Sequence, residues 1–252
     1  MSVVLLERPR PGVAVIRLNR PEVKNALTTE VRRLIERHVS EISEDDTLKV
    51  IVLTGSDQVF AVGADLTEQA GRDVVGAINT FTTHALWRSP KPVIAAVNGD
   101  AFGGGCELVL QCDFAIASSG ARFAQPEVNV GFVPGGGATQ RLPKVIGRQN
   151  AMYALLTGAP ISAVDAHRMG LVAEVVEGDA LERGLALASQ IASRPPITVR
   201  QIKEVVRLGL DAPAEVGLAL ERRSWQLMFG TRDLQEGISS VLEGRQPTVR
   251  GE

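Results

Sequence analysis

Short apolar runs rich in β-branched residues alternate with helical periodicity through the first half of the chain. The runs cover residues 13–18, 50–54, 93–97 and 114–117. Between the first two runs, apolar side chains recur at helical spacing from Val31 to Ile42. Short β-branched runs predict strands, and spacing of three and four residues predicts an amphipathic helix. The first half is therefore expected to fold as an α/β structure.

Helical periodicity dominates the C-terminal part of the chain. Pro195 and Pro196 follow a helical stretch and should stop it, because proline lacks the backbone N–H that a helix interior needs. We therefore expect a boundary here, with one unit over residues 1–195 that contains the functional site and a helical region over residues 196–252. The predicted helices of that region cover residues 197–208, 214–229 and 233–242.

Charge and hydropathy exclude several classes of function. Lys and Arg number 27 against 29 Asp and Glu, which leaves a formal charge of -2 and no general basic field for a nucleic acid partner. No apolar stretch approaches the roughly 18 residues that a membrane helix needs, and the apolar run at residues 3–6 is too short for a signal peptide. We therefore expect a cytoplasmic protein without a membrane partner.

Metal and disulfide chemistry are also not expected. Cys106 and Cys112 lack the CxxC spacing of zinc and redox sites, and the three histidines are scattered along the chain. The GxSxG elbow of serine hydrolases is absent as well.

One acid, Glu107, stands in an otherwise apolar helical segment. Residues 98–113 read NGDAFGGGCELVLQCD. An ionised carboxylate among apolar neighbours is costly unless it is paired, and a carboxyl group in such a place suits proton transfer near neutral pH. The alternative is that Glu107 lies in the first helical turn and only favours the positive end of the helix dipole.

The triple glycine before Glu107 predicts an anion or oxyanion site. Gly103, Gly104 and Gly105 let a ligand approach the backbone where the free N–H groups of a helix start point outward. The phosphate-loop pattern GxxxxGK[ST] and the dinucleotide pattern GxGxxG are absent. A tight packing turn is the alternative interpretation.

A second acid, Glu127, precedes another glycine-rich turn. Residues 123–142 read FAQPEVNVGFVPGGGATQRL. Two carboxyl groups on separate elements are what general acid and base catalysis at one small substrate requires. The alternative is an exposed loop acid. A third segment, FAVGADL at residues 60–66, follows a strand and is suited to present a second backbone N–H.

These three segments, in this order, resemble the crotonase superfamily and specifically the enoyl-CoA hydratases. The similarity extends from LNRPEVKNAL at residues 18–27 through LTGAPISAVDAHRMGLVAEVV at residues 156–176 to the helical tail. It implies a crotonase-like spiral of repeated strand-strand-helix units over residues 1–195. Residues 196–252 become a C-terminal helical trimerisation region, in a homotrimer or in a homohexamer built as a dimer of trimers.

The resemblance also implies roles for five residues. Ala64 and Gly104 match the two backbone N–H groups of the family's oxyanion hole, and Gly135 matches a backbone N–H that places the water. Glu107 matches the acid that orients and deprotonates this water. Glu127 matches the acid that delivers a proton to the α carbon of an enoyl-CoA.

The implied substrate is an acyl-CoA thioester, so coenzyme A is part of the substrate and no separate cofactor or metal is expected. The positions that match the CoA and acyl groove are Lys24, Ala26, Val62, Asp65 and Leu66. The tail departs from the family, whose common AFxEKRKP offers a phenylalanine and a lysine to the CoA nucleotide. Here SSVLEGRQP places Val241 and Gly244 at those positions.

Two alternatives to a hydratase of fatty acid or related catabolism remain at this point. One is an isomerase or a specialised acyl-CoA hydratase of the same superfamily, and acyl chain length stays open because it depends on a helix expected over residues 68–87. The other is a non-catalytic or RNA-associated protein on this scaffold. Such a protein would need an extended basic surface, whereas Arg200, Lys203 and Arg207 form only a short stripe.

Overall fold

Ten strands, eleven α-helices and two short 3-10 helices, Pro21–Val23 and Pro126–Val130, make up the computed structural model, which describes residues 2–252. The strands are β1 Val4–Arg10, β2 Val13–Leu18, β3 Val50–Thr54, β4 Val59–Ala61, β5 Val93–Val97, β6 Asp100–Phe102, β7 Phe114–Ser118, β8 Arg122–Ala124, β9 Ile161–Ser162 and β10 Glu174–Val176. The helices are α1 Thr29–Glu44, α2 Leu66–Gln69, α3 Val74–Ile78, α4 Ala85–Arg88, α5 Gly104–Val109, α6 Ala138–Thr157, α7 Ala163–Met169, α8 Ala180–Ala192, α9 Pro196–Gly209, α10 Ala214–Met228 and α11 Arg232–Glu243.

The strands form two sheets. The larger sheet has the order β1-β2-β3-β5-β7-β10 and is parallel except for β1, which pairs antiparallel with β2. The smaller sheet has the order β4-β6-β8-β9, in which the first three strands run parallel. The predicted α/β class is confirmed.

Successive segments repeat one pattern. In the pairs β3–β4, β5–β6 and β7–β8, the first strand joins the large sheet and the second joins the small one, and helices follow each pair. This is the expected spiral of strand-strand-helix units. Because β4, β6 and β8 are parallel neighbours, the loops after their carboxyl ends meet at one edge of the small sheet.

The core lies between the large sheet and the helices that cover it. Helix α1 places its apolar stripe of Val31, Ile35, Val39 and Ile42 in the main buried cluster. Its N-terminus is capped by Thr28, whose side chain accepts a hydrogen bond from the Val31 amide. The start of α1 is therefore fixed beside the loop that follows β4, where Leu27 pairs with Ala64.

The C-terminal helices agree with prediction to within two residues. Helix α9 begins at Pro196, α10 covers 214–228 and α11 covers 232–243. Proline at the first position of α9 and the Thr231 side chain before α11 provide the start signals. No helix among residues 2–252 has the length and apolar character needed to span a bilayer.

The single helix expected over residues 68–87 is wrong. The structure has three short helices there, α2, α3 and α4. The Gly71 backbone has a φ of 77°, which breaks the helix after α2, and the side chain of Asp73 then caps a new start by accepting from the Gly76 amide. This segment is therefore three short helices joined by loops, in place of one continuous helix.

Candidate active site

The loops after β4, β6 and β8 meet beside a cavity of about 760 Å³. Its lining includes the glycines Gly63, Gly103, Gly104, Gly135 and Gly136, the acids Asp65, Glu107 and Glu127, and the apolar residues Val23, Leu27, Val62, Leu66, Leu108, Phe132 and Val133. The three segments that the sequence singled out therefore border one space. A cavity of this size whose lining surface is mostly apolar is typical of a small-molecule site.

Glu107 is buried, and its carboxylate is held by another helix. Its Oε1 accepts hydrogen bonds from the amides of Gly136 at 2.7 Å and Ala138 at 3.1 Å, at the start of α6. These donors offset part of the cost of burying the charge. Oε2 accepts no hydrogen bond from residues 2–252. The hydrogen-bond donors to Glu107 are therefore amides at or just before the start of α6, and none of them belongs to its own helix.

Glu127 is half-buried in a 3-10 helix over Pro126–Val130. Its Oε1 lies against the backbone at Gly103, where an added Cβ would meet it at 3.0 Å. Burial, with a smaller contribution from the charge of Glu107, raises the pKa of Glu127 to about 7. The alternative of a fully exposed loop acid does not describe this side chain.

Sequence reasoning missed a partner of Glu127. The Gln125 side chain is 1% exposed. In the amide orientation that satisfies its hydrogen bonds, its nitrogen donates to both oxygens of Glu127 at 3.2 Å. A buried amide two residues before an acid gives no sequence signal for this contact, since the 3-10 turn at Pro126 brings the two side chains together.

Two backbone amides, those of Ala64 and Gly104, lie close together. A Cβ built on Gly104 would be 3.7 Å from the Ala64 nitrogen, and one built on Gly63 would be 3.2 Å from the Gly104 nitrogen. Neither amide donates to a protein group among residues 2–252. The backbone at Gly63 and Gly103 has φ values of 100° and 51°, a conformation that glycine adopts without strain. Two unpaired donors this close suit an oxygen that gains negative charge.

Gly135 lines the cavity, and its amide donates to no protein group in the described chain. The next residue, Gly136, was not singled out by sequence. A Cβ there would lie 2.4 Å from Glu107 Oε2, so only glycine allows the carboxylate this position.

Four of the five residues expected at the CoA and acyl groove line the cavity, namely Ala26, Val62, Asp65 and Leu66. The side chain of Lys24 is exposed and is not part of the lining. Its carbonyl accepts from the Val62 amide at 3.2 Å, and its backbone has a φ of 53°. A contact of Lys24 with CoA stays a prediction.

Arg20 is a rim residue that sequence reasoning missed. It donates to the Ala26 carbonyl at 2.6 Å and lies 3.3 Å from the Asp65 carboxylate. It fixes the groove residues and compensates the charge of Asp65.

The tail positions that depart from the family lie at the end of α11. Val241 is 79% exposed, and Gly244 ends the helix with a φ of 67°. The neighbouring Arg245 is paired with Glu236 at 2.5 Å and with Glu243 at 2.6 Å. Within residues 2–252 no group of three or more His, Cys, Asp or Glu side chains is placed to hold a metal ion.

Comparison with known proteins supports the resemblance to enoyl-CoA hydratases that the sequence indicated. A family model described as enoyl-CoA hydratase/isomerase matches residues 8–252. The chain is 38% identical to 2,3-dehydroadipyl-CoA hydratase of Escherichia coli K12 over the full length of both chains. It is 40% identical to a protein of Rhizobium meliloti named "Probable enoyl-CoA hydratase", with 96% of each chain covered. The crystal structure of an enoyl-CoA hydratase from Bacillus anthracis is 35% identical and superposes with a TM-score of 0.92, covering 99% of this chain and 100% of that one.

Proposed function

The chain belongs to the enoyl-CoA hydratase/isomerase family, and we propose that it adds water reversibly across the 2,3 double bond of an enoyl-CoA thioester. It is an enzyme with the crotonase fold. The observation that carries the proposed reaction is one cavity lined by two carboxyl groups, Glu107 and Glu127, and by the unpaired amides of Ala64 and Gly104.

The reaction starts with the thioester carbonyl oxygen at the amides of Ala64 and Gly104. Glu107 takes a proton from a water molecule, whose oxygen forms the new bond to C3. The electron pair of the C2–C3 double bond moves toward C1, and the resulting negative charge collects on the thioester oxygen between the two amides. Glu127 then gives its proton to C2. One hydroxyl and one hydrogen have been added, and the proton count of the carboxyl pair is unchanged.

The two acids have environments that suit opposite tasks. Two amide donors hold Oε1 of Glu107, which leaves Oε2 to accept a proton from water. Glu127 has a pKa of about 7, so a substantial fraction keeps its proton at neutral pH. The Gly135 amide, which donates to no protein group in the described chain, is proposed to orient the water.

Glu107 also bears on the choice between hydration and isomerisation. A double-bond isomerase moves one proton between two carbon atoms and can use a single carboxyl group such as Glu127. Activation of water needs a second group that accepts a proton. The position of Glu107, with one oxygen left without a protein partner, favours hydration.

The proposed assembly is a homotrimer, or a homohexamer built as a dimer of trimers, with residues 196–252 as the trimerisation region. These helices expose large apolar side chains whose burial would stabilise an interface. They include Ile202, Val206, Leu210, Leu218, Trp225, Leu227 and Phe229. Light scattering coupled to size exclusion should give three or six times the chain mass of 26.9 kDa. A monomer would contradict this assembly.

The remaining expectations stay predictions. Coenzyme A is proposed to enter only as part of the substrate, and activity should persist in EDTA because none of the proposed steps uses a metal ion. Membrane and nucleic acid are not proposed as partners, and a cytoplasmic location with a role in fatty acid or related lipid catabolism is kept as a prediction.

The experiment that tests the function follows the ultraviolet absorbance of the conjugated enoyl thioester with crotonyl-CoA as substrate. Absorbance should fall as 3-hydroxybutyryl-CoA forms, and mass spectrometry should find the product heavier by one water. The double variant E107Q/E127Q is the matched control for background hydration. A wild-type rate equal to that of the double variant over a range of chain lengths would reject the proposal.

A further inference from the structure

The cavity contains an arginine whose charge has no protein partner. Arg32 lies one turn into α1 and lines the cavity. Among residues 2–252 its guanidinium makes no hydrogen bond and has no carboxylate oxygen within 4.0 Å, and its Nη1 is fully buried. Burial of an unpaired charge is costly, and here it lowers the pKa of Arg32 from its usual range.

A buried amide borders the same cavity. Gln111 is 2% exposed, and its Oε1 is fully buried without a hydrogen-bond partner in the described chain. It lies seven residues after Gly104. Gly104, Leu108 and Gln111 all line the cavity, the first two from α5 and Gln111 from the turn just after this helix ends at Val109.

The nearest acids are engaged elsewhere. Glu68 and Glu107 are the two carboxylates whose charges act on Arg32. Glu68 accepts from the amide and hydroxyl of Thr29 at 3.0 and 3.1 Å and lies 3.7 Å from Arg72. Glu107 is held by the amides at the start of α6. The Arg32 guanidinium is thus left to interact with a molecule in the cavity.

Three kinds of acyl terminus can be weighed against these groups. A methyl end would leave both the guanidinium and the amide unpaired. A hydroxyl end would satisfy the amide and leave the charge uncompensated. A carboxylate would compensate the charge, which is the larger cost, and accept a hydrogen bond from the Gln111 amide after rotation of its side chain.

We propose that the preferred substrate is an enoyl-CoA whose acyl chain ends in a carboxylate, and that Arg32 and Gln111 bind this carboxylate within the cavity that both of them line. This rests on the proposed hydratase function, since the thioester must be placed at Ala64 and Gly104 for its chain to run along α5. Arg32 and Gln111 then determine specificity and take no part in the bond changes.

The test compares matched substrates that differ only at the acyl terminus. Hex-2-enoyl-CoA, hex-2-enedioyl-CoA and 6-hydroxyhex-2-enoyl-CoA end in methyl, carboxylate and hydroxyl, and the corresponding eight-carbon compounds allow for a different depth. The wild-type kcat/KM should be highest for the dicarboxylic compound at one of the two lengths. If no compound is hydrated, the proposed function fails. If all are hydrated with the methyl or hydroxyl compound preferred at both lengths, only the present proposal fails.

Substitutions assign the preference to the two residues. R32M should lower kcat/KM for the dicarboxylic compound roughly ten- to a hundredfold, as expected for loss of a charge-assisted hydrogen bond, and should raise it for the methyl compound. R32K should restore part of the preference, and Q111M should weaken it. Arg37 is an exposed arginine on the same helix, so R37M is the control for loss of one positive charge.

The outcomes are distinct. An inverted ratio of the two kcat/KM values in R32M, with R37M like the wild type, would support the proposal. An equal loss for both substrates would indicate that Arg32 only supports the charge of Glu107, and this would overturn it. An unchanged ratio in both R32M and Q111M would overturn it as well.

Discussion

The Glu107 carboxylate accepts a 2.7 Å hydrogen bond from the amide of Gly136, a residue 29 positions later in the chain. This contact joins α5, which begins at Gly104, to the turn that precedes α6. The proposed base is therefore held by backbone, with little freedom to move away from the water it activates.

Replacing Glu107 with glutamine should lower kcat for hydration by at least about a hundredfold, because a positioned general base is worth roughly that much. The glutamine oxygen can still accept from the amides of Gly136 and Ala138, so the melting temperature should change little. Activity by the ultraviolet assay and melting by calorimetry give the two values. E221Q, an exposed acid on α10, is the control. Near-normal turnover in E107Q would leave Glu107 with a purely structural role.

Substitution of Gly136 by alanine should impair activity through the same contact. The added Cβ would lie 2.4 Å from Glu107 Oε2, so either the carboxylate or the turn must move. We expect a loss of at least about tenfold in kcat, since small displacements of a catalytic group are costly. G178A has no atom within 4 Å of the new Cβ and serves as the control. Equal activity of the two variants would contradict the proposed placement of Glu107.

The kcat/KM for hydration should decrease as the pH rises above about 7, because Glu127 must be protonated to supply the proton for C2. Dehydration of 3-hydroxybutyryl-CoA should show the same upper limb. The reaction consumes no net proton, so its equilibrium constant does not vary with pH and both directions need the carboxyl pair to hold one proton. Profiles measured in both directions test this point. If kcat/KM fell at a different pH for hydration than for dehydration, the two directions could not share one proton on the carboxyl pair.

The raised pKa of Glu127 also affects stability. Below pH 4.5, the ordinary value, folded and unfolded chains are both protonated at this group. Between pH 4.5 and about 7 the unfolded chain ionises first and the folded chain binds more protons, so this group makes wild-type stability fall as the pH rises. E127Q lacks this effect and should gain stability relative to the wild type across that window. Melting temperatures of both proteins from pH 4 to 8 measure the difference in stability between E127Q and the wild type. A difference that stays constant over this range would mean that the pKa of Glu127 is ordinary.

At the tail, V241F should lower the KM for CoA thioesters several-fold with kcat almost unchanged, because nucleotide contacts act equally in the ground and transition states. Val241 is 79% exposed, so the larger ring fits without disturbing the core. G244K should instead lower stability by about 1 kcal/mol, since the φ of 67° at this helix end favours glycine. Steady-state kinetics and thermal melting separate the effects. A KM unchanged in V241F would show that the nucleotide does not reach this part of α11.

The sequence predicted the large sheet well and the small sheet not at all. Residues 13–18, 50–54 and 93–97 match β2, β3 and β5 because buried parallel strands need continuous β-branched runs. Strands β4, β6 and β8 have three residues each, which is too short for any period to show. These are the strands that place the loops of the site.

Some residues of the candidate site could be predicted from the sequence, and others could be found only in the structure. The residue patterns singled out Glu107, Glu127 and the triple glycine, and the resemblance added Ala64 and the specific role of each group. The contact of Gln125 with Glu127 and the unpaired state of Arg32 come from residues distant in sequence or from a turn. Local patterns do not encode such partners, so they could be found only in three dimensions.

The assignment of each loop to a different turn of the spiral has a consequence for how this family diversifies. The first two turns supply the amides that are proposed to bind the thioester oxygen, and the third supplies Glu127. A mutation at Glu127 can therefore change the chemistry at C2 without altering the two loops that supply the amides, whereas Glu107 shares α5 with Gly104. Natural selection or protein engineering can therefore change the reaction at C2 while the proposed binding site for the thioester is kept.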